Sequence, residues 1–297
     1  MDLKDYRERI DAIDGELLRL FTERMDVSGE IARYKAENGL AVLDARRERE
    51  KLQAVADSVR PELSDYAVDL YMLLFELSRC HQNRALGRTS ALVEEISRAL
   101  EETPRLFPER AAVACRGEEG SPSQLACERL FRQPNEFFFD SYEAVFSAIE
   151  KGLCRYGVLP LENSAAGSVN AVYDLMSRYH FSIVRSVRLK DAEGEGFTRY
   201  ICIARTLEVY PGADRTSLMM VLPDKPGSLY KVLARFYALG INLSKLESRP
   251  MPERNFEFRF YFDLENSVYS PSFLQLMGEL EDICEEYNYL GSYSEVV

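Results

Sequence analysis

Eight polar residues of the N-terminal segment are of types and spacings that could act on one ligand: Arg7, Arg24, Lys35, Asp44, Arg47, Glu48, Ser78 and Gln82. Taken singly, each reads as part of a solvated helix face, where charged side chains ordinarily lie. Their spacing says more. Arg24 and Lys35 stand 11 residues apart, about three helical turns, and so share a face. Ser78 and Gln82 stand four apart and share another. Arg47 and Glu48 follow a turn that could return them over the first helix. Cations of this kind hold carboxylates, Arg bidentately. Arg7 and Arg24 are 17 residues apart, about 25 Å along one helix. A small ligand could meet both only if Arg7 came from a second subunit, which predicts an intertwined dimer with two sites.

The elements that must position these residues are helices. Ile10, Ile13, Leu17, Leu20, Phe21 and Ile31 recur at helical spacings. The run from Lys4 to Glu37 contains no Pro and predicts one long helix stopped at Asn38-Gly39. A second helix is expected over 45–59, broken by Arg60-Pro61, and a third from Ser64 to about residue 88. A first helix of more than 30 residues is too long to bury its apolar stripe within so thin a unit, and invites a partner chain.

Residues 89–104 read as a polar helical connector, and from Arg110 the pattern changes. AAVAC, FFFDS and YGVLPLE read as strands, and LACERLF, YEAVFSAIEKG and VNAVYDLMSRY as helices. That alternation suggests a parallel sheet. FSIVRSVRLK and FTRYICIAR add two strands, with DAEGEG between them as a short polar turn. Residues 206–215 form a linker containing Pro211-Gly212. The tail reads strand, helix, strand, strand, helix over 271–287, and strand: the βαββαβ order of a ferredoxin-like module. FEFRFYFDL alternates as a strand with one buried face should. The fold class is therefore multidomain: an all-α domain over 1–88, a single α/β lobe over 105–205 and an α+β module over 214–297.

Composition narrows the function. The formal net charge of −12 argues against a general nucleic-acid binder. No apolar run approaches the roughly 18–20 residues needed to cross a bilayer, and the charged N-terminus is not a secretory signal. Six scattered cysteines without a CxxC pair read as buried reduced thiols of a cytoplasmic protein. His81 and His180 alone do not make a His-based metal site. There is no P-loop and no GxGxxG, so no cofactor is indicated.

The stretch YRERIDAIDGELLRLFTERMDVSGEIARYKAENGLAVLDARRERE, with ELSRCHQ downstream, resembles the all-helical class of chorismate mutase over residues 5–84. All eight residues named above fall on that family's pattern, in order. The resemblance implies that Arg7, Arg24 and Arg47 hold the carboxylates of chorismate. Lys35 and Gln82 would face the ether oxygen, Asp44 and Glu48 the ring hydroxyl or the cations, and Ser78 a carboxylate. The rearrangement to prephenate is pericyclic, so catalysis rests on holding the folded conformer and stabilising charge on the breaking ether bond. Gln82 is neutral, so activity should not require acidic pH.

DKPGSLYKVLARFYALGINLSKLESRP resembles an ACT regulatory domain of the phenylalanine-responsive kind. The resemblance implies an effector site for L-phenylalanine at Gly227, Ser228 and Leu229, after Pro226, and at Glu247, Ser248 and Arg249, before Pro250. Gly permits close backbone approach and helix N-terminal amides suit a carboxylate. Such modules pair side by side, so a dimer or a tetramer is expected.

The middle resembles a prephenate dehydratase in pieces: ENSAAGSV with Glu162, Asn163 and Ser164, and FTRY with Thr198 and Arg199. In that family the Thr hydroxyl acts as the acid. Only 14 residues, 184–197, separate FSI from Thr198, where the family carries a second lobe. A single βαβ unit already takes about 30 residues. The expectation is a chorismate mutase acting on chorismate in phenylalanine biosynthesis, with an inactive dehydratase remnant. One alternative is a working mutase–dehydratase that makes phenylpyruvate. The other is a non-catalytic phenylalanine-binding regulatory protein, which would make the mutase residues relics.

Overall fold

The computed structural model describes all residues except 1, 41–43, 87–89, 192–195, 252–253, 255–256, 282 and 297. Most of the expected DAEGEG turn therefore lies outside the described residues. The chain divides into two compact units, Met1–Thr89 and Ser90–Val297.

The first unit is helical. Helix α1 (Leu3–Glu37) starts at a capping box in which Asp2 accepts from the Lys4 and Asp5 amides and Asp5 answers the Asp2 amide. It ends at Asn38, followed by Gly39 in the left-handed region. Helix α2 (Ala45–Ser58) is capped by Asp44, whose carboxylate accepts from the Arg47 amide. A 3-10 turn (Pro61–Leu63) leads into α3 (Ser64–Ala85), which packs on both α1 and α2. Few residues are buried on α1, and those are Ser28, Gly29 and Ala32 in its C-terminal half. Its apolar stripe through Tyr6, Ile10, Ile13, Leu17 and Leu20 is at least half exposed along the single chain.

The second unit opens with α4 (Ala91–Glu102). The expected polar connector is an amphipathic helix: Val93, Ile96 and Ala99 are buried in the same core as the C-terminal elements. A sheet follows, built from β1 (Ala112–Arg116), β2 (Asn135–Phe139), β3 (Tyr156–Asn163), β4 (Gly167–Ser168), β5 (Ser182–Lys190) and β6 (Phe197–Ala204). Between them lie α5 (Pro122–Leu130), α6 (Tyr142–Glu150) and α7 (Asn170–Tyr179). The strand order is β11-β5-β6-β3-β1-β2, with β4 on β3 and β11 the short C-terminal strand Glu295–Val296. Strands β1, β2 and β3 run parallel among themselves, whereas β6 is antiparallel to both β3 and β5. The expected parallel sheet is thus mixed, because six residues between β5 and β6 allow a hairpin and not a crossover.

The rest is β7 (Arg215–Val221), α8 (Ser228–Ala238), β8 (Asn242–Pro250), β9 (Phe258–Glu265), α9 (Pro271–Glu281) and β10 (Glu286–Tyr293). The sheet order β10-β7-β9-β8, all antiparallel, is that of a ferredoxin-like module. Helix α9 stops six residues short of the expected 287, since β10 begins at Glu286. Strand β9 was expected to bury one face, yet Tyr261, Phe262, Asp263 and Leu264 are all buried. The second face is covered by the α/β lobe: Met219, Tyr261, Leu290 and Tyr293 share a core with Leu159, Tyr173 and Ile201. The chain then closes back on the lobe, as β11 (Glu295–Val296) adds to β5 in parallel. At the crossing, Gly291 sits so close to Ile183 that a Cβ would overlap the Ile183 carbonyl oxygen.

Candidate active site

In the helical unit, a cavity of about 560 Å³ opens between the three helices. Seven of the eight predicted residues line it: Arg24 and Lys35 from α1, Asp44, Arg47 and Glu48 from the start of α2, and Ser78 and Gln82 from α3. Arg7 does not; it lies exposed near the start of α1. The backbone explains the convergence. The break after Asn38 returns the chain, and the Asp44 cap places Arg47 and Glu48 in the first turn of α2.

Arg24 Nη1 donates to Ser78 Oγ and, at 3.3 Å, to the Leu74 carbonyl. Its guanidinium also lies 5.9 Å from the centre of the Phe75 ring. Ser78 Oγ donates to the Leu74 carbonyl at 2.7 Å, which fixes the hydroxyl as an acceptor toward Arg24. Gln82 is buried; its Nε2 donates to Ser28 Oγ at 2.9 Å, while Oε1 is buried without a hydrogen-bond partner. An amide nitrogen carries two protons, so Nε2 retains one for a ligand. Gly29 lets the side chain of His81 approach α1: a Cβ there would meet His81 Nε2 at 3.4 Å. The site is therefore a cationic pocket with neutral donors at its floor, able to hold a small dicarboxylate and place a hydrogen bond on an uncharged oxygen.

Arg79 was missed by sequence reasoning. It lines the cavity and forms ion pairs with Glu48 and Glu76. Its signal was weak, since it follows Ser78 directly and a helix turns that neighbour about 100° away.

In the second unit, Asn163, Thr198 and Asp191 form a closed network, with Ser164 beside it. Thr198 Oγ1 donates to Asp191 Oδ1 at 2.7 Å, and Asn163 Nδ2 donates to Asp191 Oδ2 and Thr198 Oγ1 at 2.7 and 2.8 Å. Asn163 Oδ1 accepts from the Ala165 and Ala166 amides, and Ser164 Oγ accepts from the Phe197 amide. Glu162 and Arg199 face the ferredoxin-like module. Arg199 is 4% exposed, pairs with Asp263 of β9, and approaches Glu162 at 2.8 Å without hydrogen-bond alignment. Burial alone would pull its pKa down; Tyr293, Asp263 and Glu162 outweigh that and hold it above the ordinary guanidinium value. Lys245 of β8 donates to Glu162 Oε2, Ser168 Oγ and the Tyr173 hydroxyl at 2.6, 2.7 and 2.8 Å. Burial, with Asp263 next, pushes the Tyr173 hydroxyl well above its usual range, so it stays protonated.

The predicted effector residues fall into two groups. Gly227 is the left-handed N-cap of α8, with Ser228 and Leu229 in its first turn. Glu247 and Arg249 lie on the face of β8 turned to the lobe. Ser168 Oγ donates to Glu247, and Arg249 donates to the Asn170 carbonyl at 3.0 Å and Asp174 Oδ1 at 2.9 Å. Ser248, between them, is exposed. Lys245 and Asp263 were also missed; Lys245 shares the face of Glu247 two residues on, and Asp263 breaks an otherwise aromatic-rich strand.

The chain thus carries a cationic pocket in a three-helix unit and, after it, a mixed α/β lobe with a ferredoxin-like module, and likeness to known proteins narrows the class further. Residues 6–83 match the family model of chorismate mutase type II and residues 113–190 that of prephenate dehydratase. The bifunctional chorismate mutase/prephenate dehydratase of Escherichia coli (strain K12) is 22% identical over 380 residues, covering 97% of this chain and 95% of that protein. Prephenate dehydratase from Streptococcus mutans superposes with a TM-score of 0.56 at 27% identity, over 63% of this chain and 99% of that one. The prephenate dehydratase of Arthrobacter aurescens, solved in complex with L-Phe, gives 0.54 at 18% identity, over 62% and 90%. The chain belongs to the chorismate mutase–prephenate dehydratase family, also called P-proteins.

The alignment to the E. coli protein spans 380 positions and this chain has 297 residues, so at least 83 of those positions have no counterpart here. The dehydratase match ends at Lys190, the last residue of β5. Among the described residues, no helix is long and apolar enough to cross a membrane.

Proposed function

We propose that this protein is a chorismate mutase whose dehydratase-like lobe no longer processes prephenate and instead seats a phenylalanine-responsive ACT module. The observation that carries the first part is the convergence of seven residues, from three helices, on one cavity. Arg24 and Arg47 bind the two carboxylates and hold chorismate in its folded, reactive conformer. Lys35 and the free amide proton of Gln82 stabilise negative charge on the ether oxygen as its bond to the ring breaks. Asp44 and Glu48 take the ring hydroxyl, Arg79 holds Glu48 in place, and Ser78 orients Arg24. No proton transfer is needed.

Arg7 completes the site from a second copy. The exposed stripe of α1 supports this, since an unpartnered row of large apolar side chains marks an association surface. Mixing Arg7→Ala with Arg24→Ala subunits tests it. Each hybrid dimer then holds one intact site and one doubly damaged site, so random mixing should restore about a quarter of wild-type activity.

Loss of dehydration is supported by the hairpin between β5 and β6, which leaves no room for a second lobe, and by Thr198, whose proton is already given to Asp191. The other wall of a cleft at Glu162 and Arg199 is taken by Lys245 and Asp263. Incubation with chorismate, following prephenate and phenylpyruvate together with and without phenylalanine, tests all parts at once. Prephenate should accumulate alone. Phenylpyruvate would establish a working dehydratase, and no loss of chorismate would leave only a regulatory role.

A further inference from the structure

Cys115, Cys127 and Glu136 lie on three successive elements and come together in the fold. Cys115 lies on β1, Cys127 on α5 and Glu136 on β2. One ligand atom from each comes within 4.8 Å of the other two. Both cysteines are free and wholly buried, among Val113, Ala126, Leu130 and Val158. Glu136 is half-buried on the edge strand, which gives the cluster its way out to solvent.

The carboxylate of Glu136 is held at one oxygen only. Gln124 Nε2 donates to Oε2 at 2.8 Å, and Gln124 is itself fixed, since its Oε1 accepts from the Gly120 amide at 2.6 Å. Oε1 of Glu136 is buried with no hydrogen-bond partner. A buried oxygen left unpaired costs about 1–3 kcal/mol, and such a group calls for a ligand or a role. Against it stand two thiols, which are poor hydrogen-bond donors but good metal ligands once ionised.

We propose that Cys115, Cys127 and Glu136 bind a thiophilic divalent ion of the zinc class. Bonds of about 2.3 Å to sulfur and 2.0–2.2 Å to oxygen put tetrahedral ligand atoms a little under 4 Å apart. Atoms already within 4.8 Å need only small rotamer adjustments to reach that spacing. Two thiols and a carboxylate select soft-to-borderline ions over magnesium or calcium. Gln124 acts as the outer partner that orients the carboxylate. Binding turns two thiols into thiolates and releases two protons to solvent. Three protein ligands leave the fourth tetrahedral position to a water entering past Glu136, and the ion would tie β1, β2 and α5 together.

The test uses the full-length chain, stripped with chelator and kept reduced, titrated with Co(II) and then Zn(II). The expected result is a thiolate-to-cobalt charge-transfer band at one equivalent per chain, displaced by zinc, with release of protons. The band should disappear in Cys115→Ser and Cys127→Ser and persist in Cys154→Ser. Gln124→Ala, which frees the Glu136 carboxylate, should weaken zinc affinity by about 10–100-fold. A wild-type protein that gives no band and takes up no zinc overturns the proposal whatever the variants do. So does a band that survives in the Cys115→Ser/Cys127→Ser double variant.

Discussion

Gln82 carries the sharpest residue-scale consequence. A neutral amide donates to the ether oxygen at any ordinary pH, so mutase kcat/KM should stay flat between about pH 5 and 8, outside the reach of carboxyl titration. Gln82→Glu reverses this. The carboxyl donates only while protonated, and burial of residue 82 raises its pKa. Activity of the variant should therefore be present at low pH and fall about tenfold per unit once pH exceeds that raised pKa. A flat profile in the variant would remove Gln82 from the reaction. Lys35→Ala should cost about 10²–10³ in kcat, the usual loss for one donor to a developing oxyanion. These residues were legible because their chemistry is local: helical spacing alone puts Arg24 with Lys35 and Ser78 with Gln82. Arg79 was not legible, because its role depends on where α2 returns Glu48. Asp263 was not legible either, because its partner Arg199 is 64 residues away.

At the scale of elements, the helices and most strands could be read from periodicity and from Asn38-Gly39 and Arg60-Pro61. The pattern failed where another element supplied the environment. Helix α4 looked polar because half of its surface is, yet Val93 meets Gly278 of α9 in the module's core. Strand β9 looked one-sided because the lobe that covers its second face is remote in sequence. The β10–β5 crossing is the tightest such contact. Gly291 has φ +128°, open only to glycine, and no space for a Cβ beside the Ile183 backbone. Gly291→Ala should lower stability by about 2–6 kcal/mol, since backbone strain and overpacking each cost about 1–3. Thermal unfolding of the second unit checks it. Gly278→Ala inside α9, whose Cβ would meet Val93 at an ordinary 3.7 Å, is the control and should stabilise by about 0.5–1 kcal/mol, the helix preference for Ala over Gly.

At the scale of the molecule, the lobe and the ferredoxin-like module form one compact unit and the helical segment forms another. Lobe and module share a core through Met219, Tyr261, Leu290 and Tyr293, one buried charge network around Arg199, and a sheet that β11 completes. Breaking a buried pair leaves an uncompensated charge, which costs about 3–5 kcal/mol. Asp263→Ala should fall at the low end of that range, because Glu162 stays beside Arg199. Replacing both partners with apolar residues of similar volume should recover most of the loss, which urea unfolding of the double variant would show. The same reasoning fixes what can be cut. A fragment of residues 1–89 should keep mutase activity, and residues 90–297 should unfold in a single cooperative transition. Residues 90–205 should not fold, because removing the module exposes Leu159, Tyr173 and Ile201 and leaves the Arg199 guanidinium without Asp263. A soluble 90–205 fragment with its own sharp transition would show that the lobe stands alone, and the module would then be an appendage and not half of its core.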